Sequence, residues 1–153
     1  MKRINIGDKL PDFTLPDQNG NEFNIQQLIG KKNLVIYFYP KDETQGCTME
    51  ACSFRDNYET FTENGFEVIG ISSDSSRSHQ QFIQHHRLPF TLLSDEKKEV
   101  RNLFGVPSGL FGLLPGRVTY VVDKKGIVRH IFNSQLQPKK HIAESLAFVK
   151  ELK

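Results

Sequence analysis

Tryptophan is absent from the 153-residue sequence, and cysteine and methionine occur only twice each. Two cysteines are too few for a small secreted scaffold stapled by disulfides, so an apolar core has to hold the chain together. Long apolar runs are missing as well. The longest, Leu34 to Tyr39, is the length of a strand, against the roughly 18 residues needed to span a bilayer. Charge of one sign is not in surplus either. Twenty Lys and Arg face 18 Asp and Glu, a net +2. The longest basic runs are pairs such as Lys31-Lys32 and Lys124-Lys125, whereas a nucleic-acid binder usually shows a basic stripe. Neither a nucleic acid nor a membrane is therefore expected as a partner. Residues Met1 to Asp8 are polar and carry neither the apolar heart of a secretory signal nor the Arg/Ser-rich pattern of a transit peptide. On that ground the chain is expected in the cytoplasm. A mature organellar form whose leader had been removed would read the same way.

The length suits one compact domain over residues 1–153. Asp17-Gln18-Asn19-Gly20 between two short extended runs reads as a β-hairpin. Asn33 to Tyr39 is β-branched and aromatic, the pattern of a buried central strand, and Pro40 ends it. From Cys47 the apolar spacing becomes helical, with Asn64-Gly65 as its stop. Phe66 to Ile71 is a strand, Ser75 or Ser78 caps a helix to about His86, and Phe90 to Leu93 and Glu96 to Phe104 form a short strand and a short helix. Gly105 to Gly116 is a long apolar loop, a length that usually carries function. Arg117 to Val122 and Ile127 to Phe132 form a second hairpin. Pro138 opens a last helix with Ile142, Leu146, Val149 and Leu152 on one stripe. This order predicts an α/β fold with a mixed central sheet flanked by helices and preceded by an N-terminal hairpin. The thioredoxin-like arrangement is the closest match.

Cys47 sits where the loop after the central strand turns into a helix. Unpaired N–H groups and a partial positive charge at a helix start favour a thiolate, so its pKa is expected to fall. A thiolate attacks peroxide oxygen and becomes a sulfenic acid. The competing reading is a buried structural cysteine. Cys52 follows five residues on, not at the Cys-x-x-Cys spacing of a zinc or thioredoxin-type site. On an ideal helix that spacing separates the α-carbons by ~8.7 Å, and a disulfide needs less than about 7 Å. If the two sulfurs bond during turnover, the first turns must unwind. Thr44 can bring a hydroxyl to the thiolate, and Arg117 a guanidinium that steadies charge on the leaving oxygen. Taken alone, Thr44 reads more readily as a turn residue and Arg117 as an ordinary surface arginine.

Three longer segments decide between these readings. Tyr39 to Cys52 (Y-P-K-D-E-T-Q-G-C-T-M-E-A-C) resembles the active-site segment of the peroxiredoxin Q family, also called bacterioferritin comigratory protein. Leu114 to Asp123 is similar to that family's second motif, and Gly7 to Asp17 to its opening. The resemblance implies a thioredoxin-like fold and a peroxidase for hydrogen peroxide and organic hydroperoxides. It implies recycling by thioredoxin or a similar dithiol, no metal or haem cofactor, and a monomer. It makes Thr44 and Cys47 the peroxidatic pair, Arg117 the active-site arginine, Pro40 the shield of the thiolate, Cys52 the resolving thiol and Glu50 a supporting residue. One departure is Gln45, which stands where the family often has Pro and leaves the loop less rigid before folding.

Other readings carry less. His79, His85, His86, His130 and His141 show no metal spacing with the cysteines and are expected on the surface. A redox sensor that hands its oxidation to a partner protein would share the same active site. The wide cysteine spacing argues against a dithiol oxidoreductase acting on protein disulfides. Leu110, Phe111, Leu113 and Leu114 are read either as core or as an apolar wall beside the site or a docking surface for a partner.

Overall fold

The computed structural model describes residues 3–107, 116–149 and 151–152. The apolar residues Leu110, Phe111, Leu113 and Leu114 lie outside that set. Strands β1 (Thr14–Pro16) and β2 (Glu22–Asn24) pair antiparallel as the expected hairpin. The central sheet has five strands in the order β5-β4-β3-β6-β7. These are β3 (Asn33–Phe38), β4 (Phe66–Ser72), β5 (Thr91–Ser94), β6 (Val118–Val122) and β7 (Val128–Asn133). β3 runs parallel to β4 and antiparallel to β6, so the sheet is mixed and thioredoxin-like, as the order of elements predicts.

Every residue of β3 is buried, because both faces of the sheet are covered. Alternation along the strand divides the core in two. Leu34, Ile36 and Phe38 join Phe104, Tyr120 and the N-terminal segment on one face. Val35, Tyr37 and Tyr39 face Cys47, Phe54, Phe82 and Ile142 on the other. That second face is roofed by α1 (Gln45–Asp56), α2 (Tyr58–Glu63), α3 (Ser76–His86) and α5 (Pro138–Val149). The short α4 (Glu99–Phe104) belongs to the first. Among the described residues, no helix is long and apolar enough to cross a membrane.

The helix expected from Cys47 to Glu63 is two helices. Asn57 interrupts it, with its side-chain amide donating to the Ser53 carbonyl at 2.8 Å. Such a local bond competes with the helical ladder. α1 also begins two residues before Cys47, which places the cysteine inside the first turn. Ser75, not Ser78, caps α3, accepting from the Ser78 backbone N–H at 3.1 Å.

Candidate active site

The loop that leaves β3 is anchored before it reaches the cysteine. Asp42 is buried and accepts from the Tyr39 hydroxyl at 2.5 Å, the Ser78 hydroxyl at 2.8 Å and His79 Nδ1 at 2.7 Å. Its own backbone N–H donates to Asp74 at 2.8 Å. His79 Nε2 donates to the Leu93 carbonyl at 3.0 Å, so both ring nitrogens are satisfied inside the protein. A second pin holds the strand ends. Arg101 of α4 is buried and donates to the carbonyls of Tyr39 at 3.1 Å and Gly116 at 3.0 Å. These two strand ends carry Pro40 and Arg117.

Thr44 is the cap residue of α1 but makes no capping bond with its side chain. Its hydroxyl donates to the Lys41 carbonyl at 2.8 Å. The first-turn N–H groups of α1 are thus left to whatever lies in front of them. Cys47 is the third residue of that helix and is 1% exposed, packed among Tyr37, Tyr39, Ala51 and Phe54. One turn later, on the same face, lies Glu50.

Arg117 reaches this face from the start of β6. Its Nη1 donates to Glu50 Oε1 at 2.7 Å and its Nε to the Gln135 carbonyl at 3.2 Å. The approach depends on Gly46, where a Cβ would lie 2.9 Å from Arg117 Nη2. Gly46→Ala should push the guanidinium aside and slow reaction with peroxide by on the order of 10²-fold. Stopped-flow oxidation at unchanged thermal stability is the measurement, and a rate equal to wild type would show that this close approach is dispensable.

The helix start alone predicts a lowered Cys47 pKa, and the structure corrects this. Burial is the largest influence and pushes the thiol up. Arg117, the Thr44 hydroxyl and the Lys41 backbone pull it down without overcoming that push. The reason is depth: a sulfur removed from water loses the hydration that would stabilise its anion. Ionised Glu50 would add to the upward push. Glu50 is itself fully buried, and burial raises it to about 8 although Arg117 draws it down. Its second oxygen, Oε2, has no hydrogen-bond partner among the described residues and stands 3.6 Å from His141 Nδ1.

His141 and His79 are both fully buried, not on the surface as expected from sequence. Burial lowers His141 to about 4, so its ring is neutral. Nε2 donates to the Ser134 carbonyl at 2.8 Å, which leaves Nδ1 to accept from the Thr119 hydroxyl at 2.7 Å. Nothing in the spacing of these histidines marks them, since their partners come from other elements. Asp42, Arg101 and Gly46 escape a reading of the sequence for the same reason.

A cavity of about 650 Å³ opens at the start of α1, lined by Pro40, Thr44, Gly46, Met49, Arg117 and Leu136. Cys52 is partly buried on the same intact α1, and both thiols are free. The geometry thus brings Thr44, Glu50 and Arg117 to Cys47, sets Pro40 on the cavity wall and leaves Cys52 apart.

Known proteins resemble this chain over nearly its whole length. The profile of the AhpC/TSA family matches residues 6–131. The chain belongs to the AhpC/TSA family. The peroxiredoxin Q of Triticum aestivum, named as chloroplastic, is 54% identical over 150 residues, which is 98% of this chain and 69% of that protein. The chloroplastic peroxiredoxin Q of Arabidopsis thaliana is 56% identical over 148 residues, covering 97% and 68%. Among solved structures, the peroxidoxin BcpB of Mycobacterium tuberculosis superposes with a TM-score of 0.88 at 36% identity over 97% of each chain. PrxQ of Xylella fastidiosa gives 0.89 at 25% identity over 99% and 98%. This peroxiredoxin is accordingly an oxidoreductase that acts on peroxide through a thiol, and the comparisons favour that over a sensor role.

Proposed function

We propose that Cys47 is the peroxidatic thiol and Cys52 the resolving thiol of one catalytic cycle. The Cys47 thiolate attacks the terminal oxygen of the hydroperoxide and the O–O bond breaks. The leaving oxygen takes a proton and departs as water or an alcohol, and Cys47 becomes a sulfenic acid. Arg117 and the open N–H groups of α1 hold the anionic sulfur and the charge growing on the leaving oxygen. Thr44 turns its hydroxyl from Lys41 to the incoming peroxide, and Pro40 keeps water off the sulfur. The first turns of α1 then unwind, Cys52 sulfur attacks Cys47 sulfur, and water leaves as the disulfide forms. A thioredoxin-type dithiol restores both thiols by exchange.

The observation that carries this reading is the meeting of a helix start, Thr44 and Arg117 on one buried cysteine. The apolar side chains of Met49 and Leu136 at the cavity mouth, both exposed, suit the tail of an organic hydroperoxide as well as hydrogen peroxide. A monomer suffices, because every group named belongs to one chain. Relatives named as chloroplastic support an organellar location over the cytoplasmic one.

Mass analysis after one equivalent of peroxide tests the cycle. The wild-type chain should lose two hydrogens, mapped to a Cys47–Cys52 link. Cys52→Ser should gain one oxygen at Cys47 and stall with thioredoxin. A disulfide-dependent turnover that survives in Cys52→Ser would remove Cys52 from the cycle.

A further inference from the structure

Glu43 stands in the loop just before the α1 cap and is not among the residues that line the cavity. Its backbone takes a left-handed conformation, φ 63°, which is uncommon for a residue with a side chain. That conformation sends the carboxylate to the last turn of α3. There Oε2 lies 3.0 Å from His85 Nδ1, and Oε1 lies 2.9 Å from His86 Nε2. The two imidazole rings are 4.2 Å apart, and the three ligand groups offer atoms all within 4.8 Å of one another. Neither ring is adrift. The ring of His86 packs edge-on against Phe82, and the His86 carbonyl accepts from Arg55 Nη1 of α1 at 2.7 Å. The cluster is open to water, with His85 66% and Glu43 44% exposed at their side chains.

Two imidazoles and a carboxylate form a donor set for zinc and its borderline neighbours, not for magnesium or calcium. Zinc bonds of about 2.0–2.1 Å at a tetrahedral angle separate neighbouring ligand atoms by about 3.3 Å. Measured to the same oxygen, Glu43 Oε1, the separations are 3.2 Å for His85 Nδ1 and 2.9 Å for His86 Nε2, short of that by only a few tenths of an ångström at most. As a hydrogen-bonded cluster, each nitrogen facing the carboxylate carries a proton, which a neutral imidazole supplies in one tautomer. A divalent cation lets both lone pairs and the carboxylate point inward together, and water completes the shell. The C-terminal end of α3 favours a cation at this place.

The geometry points to a zinc-type site at Glu43, His85 and His86 whose occupancy clamps the loop entering α1 to α3 and slows the unwinding that joins Cys47 to Cys52. The clamp rests on the catalytic cycle proposed above; the metal site does not. Glu43 adjoins Thr44, so a metal that fixes its carboxylate fixes the hinge about which the first turn must open. Formation of the sulfenic acid needs no such opening. Zinc should therefore leave the first chemical step alone and lengthen the life of the sulfenic acid.

Binding is read by titrating the reduced full-length chain with zinc against a chromophoric chelator. One zinc per chain is expected. His85→Ala, His86→Ala and Glu43→Gln should each weaken it by about tenfold or more. Cys47→Ser and Cys52→Ser should leave it in place, which separates this site from zinc held by thiols. No binding, or binding lost with the cysteines and kept in the histidine variants, overturns the site. The clamp is read in a single turnover with peroxide. Saturating zinc should slow disulfide closure severalfold and leave sulfenic acid formation unchanged, and His85→Ala should erase the slowing. Equal closure rates with and without bound zinc overturn the clamp. If metal-free protein forms no Cys47–Cys52 disulfide at all, the catalytic cycle fails, while the chelator titration still judges the metal site.

Discussion

Replacement of Cys47 by Ser should reduce peroxidase turnover with a thioredoxin-type donor to the uncatalysed background, a loss on the order of 10⁴-fold or more. The size follows from chemistry, not from packing. A cysteine thiol ionises far more readily than a serine hydroxyl in the same surroundings, and its thiolate is a soft, polarizable nucleophile. The sulfur also has to carry the transferred oxygen as a sulfenic acid, for which the serine oxygen has no stable equivalent. The fold should survive. Cys47 lies in an apolar cluster with Tyr37 and Phe54, and placing a hydroxyl there costs about 1–3 kcal/mol if it finds no partner. Thermal unfolding and steady-state turnover on the same preparation separate the two effects. Turnover near wild type in folded Cys47→Ser would place the chemistry elsewhere in the chain.

The sequence reading succeeds where local pattern and global fold agree. β3 is legible because Leu34 to Tyr39, all buried, write an unbroken apolar run. α5 is legible because Pro138 starts it and a stripe of apolar residues at helical spacing lines its inner face. Cys47, Thr44 and Arg117 are legible because they sit in two long motifs. What fails is whatever depends on a partner remote in sequence. The buried state of His141 is set by Thr119, Ser134 and Glu50, which lie on other elements. The same holds for His79, whose place is fixed by Asp42 and Leu93. The direction of the Cys47 shift fails for a related reason. A helix start is visible in the order of residues, but the depth to which the packed sheet and α5 sink it is not. Asn57 is the local exception, since a single side-chain bond to Ser53 splits a helix that periodicity alone carries through.

Arg117→Ala should slow the reaction of Cys47 with peroxide by about 10²–10³-fold, the usual cost of losing one donor aimed at developing negative charge. Arg117→Lys should recover part of this, keeping the charge but losing the fork that reaches Glu50 and the sulfur at once. The charge that Arg117 can offer depends on Glu50, and this makes the effect depend on pH. With Glu50 raised to about 8, its carboxyl is mostly protonated at neutral pH and leaves the guanidinium charge to the thiolate. As pH rises through about 8, Glu50 ionises, takes a share of that charge and pushes the Cys47 thiol up. The rate of wild type relative to Glu50→Gln should therefore decline across that pH. Stability should follow the same sign. The folded state holds the Glu50 proton more tightly than the unfolded chain, whose carboxyl titrates near 4.5, so the contribution is fully present below about 4.5 and is lost as pH rises to about 8. Melting curves of wild type and Glu50→Gln over that window give the difference directly. A constant difference, together with a constant ratio of rates, would mean that the Glu50 carboxyl is already ionised throughout. The buried pair would then be a fixed ion pair, and Arg117 would serve the thiolate with only the part of its charge that Glu50 leaves free.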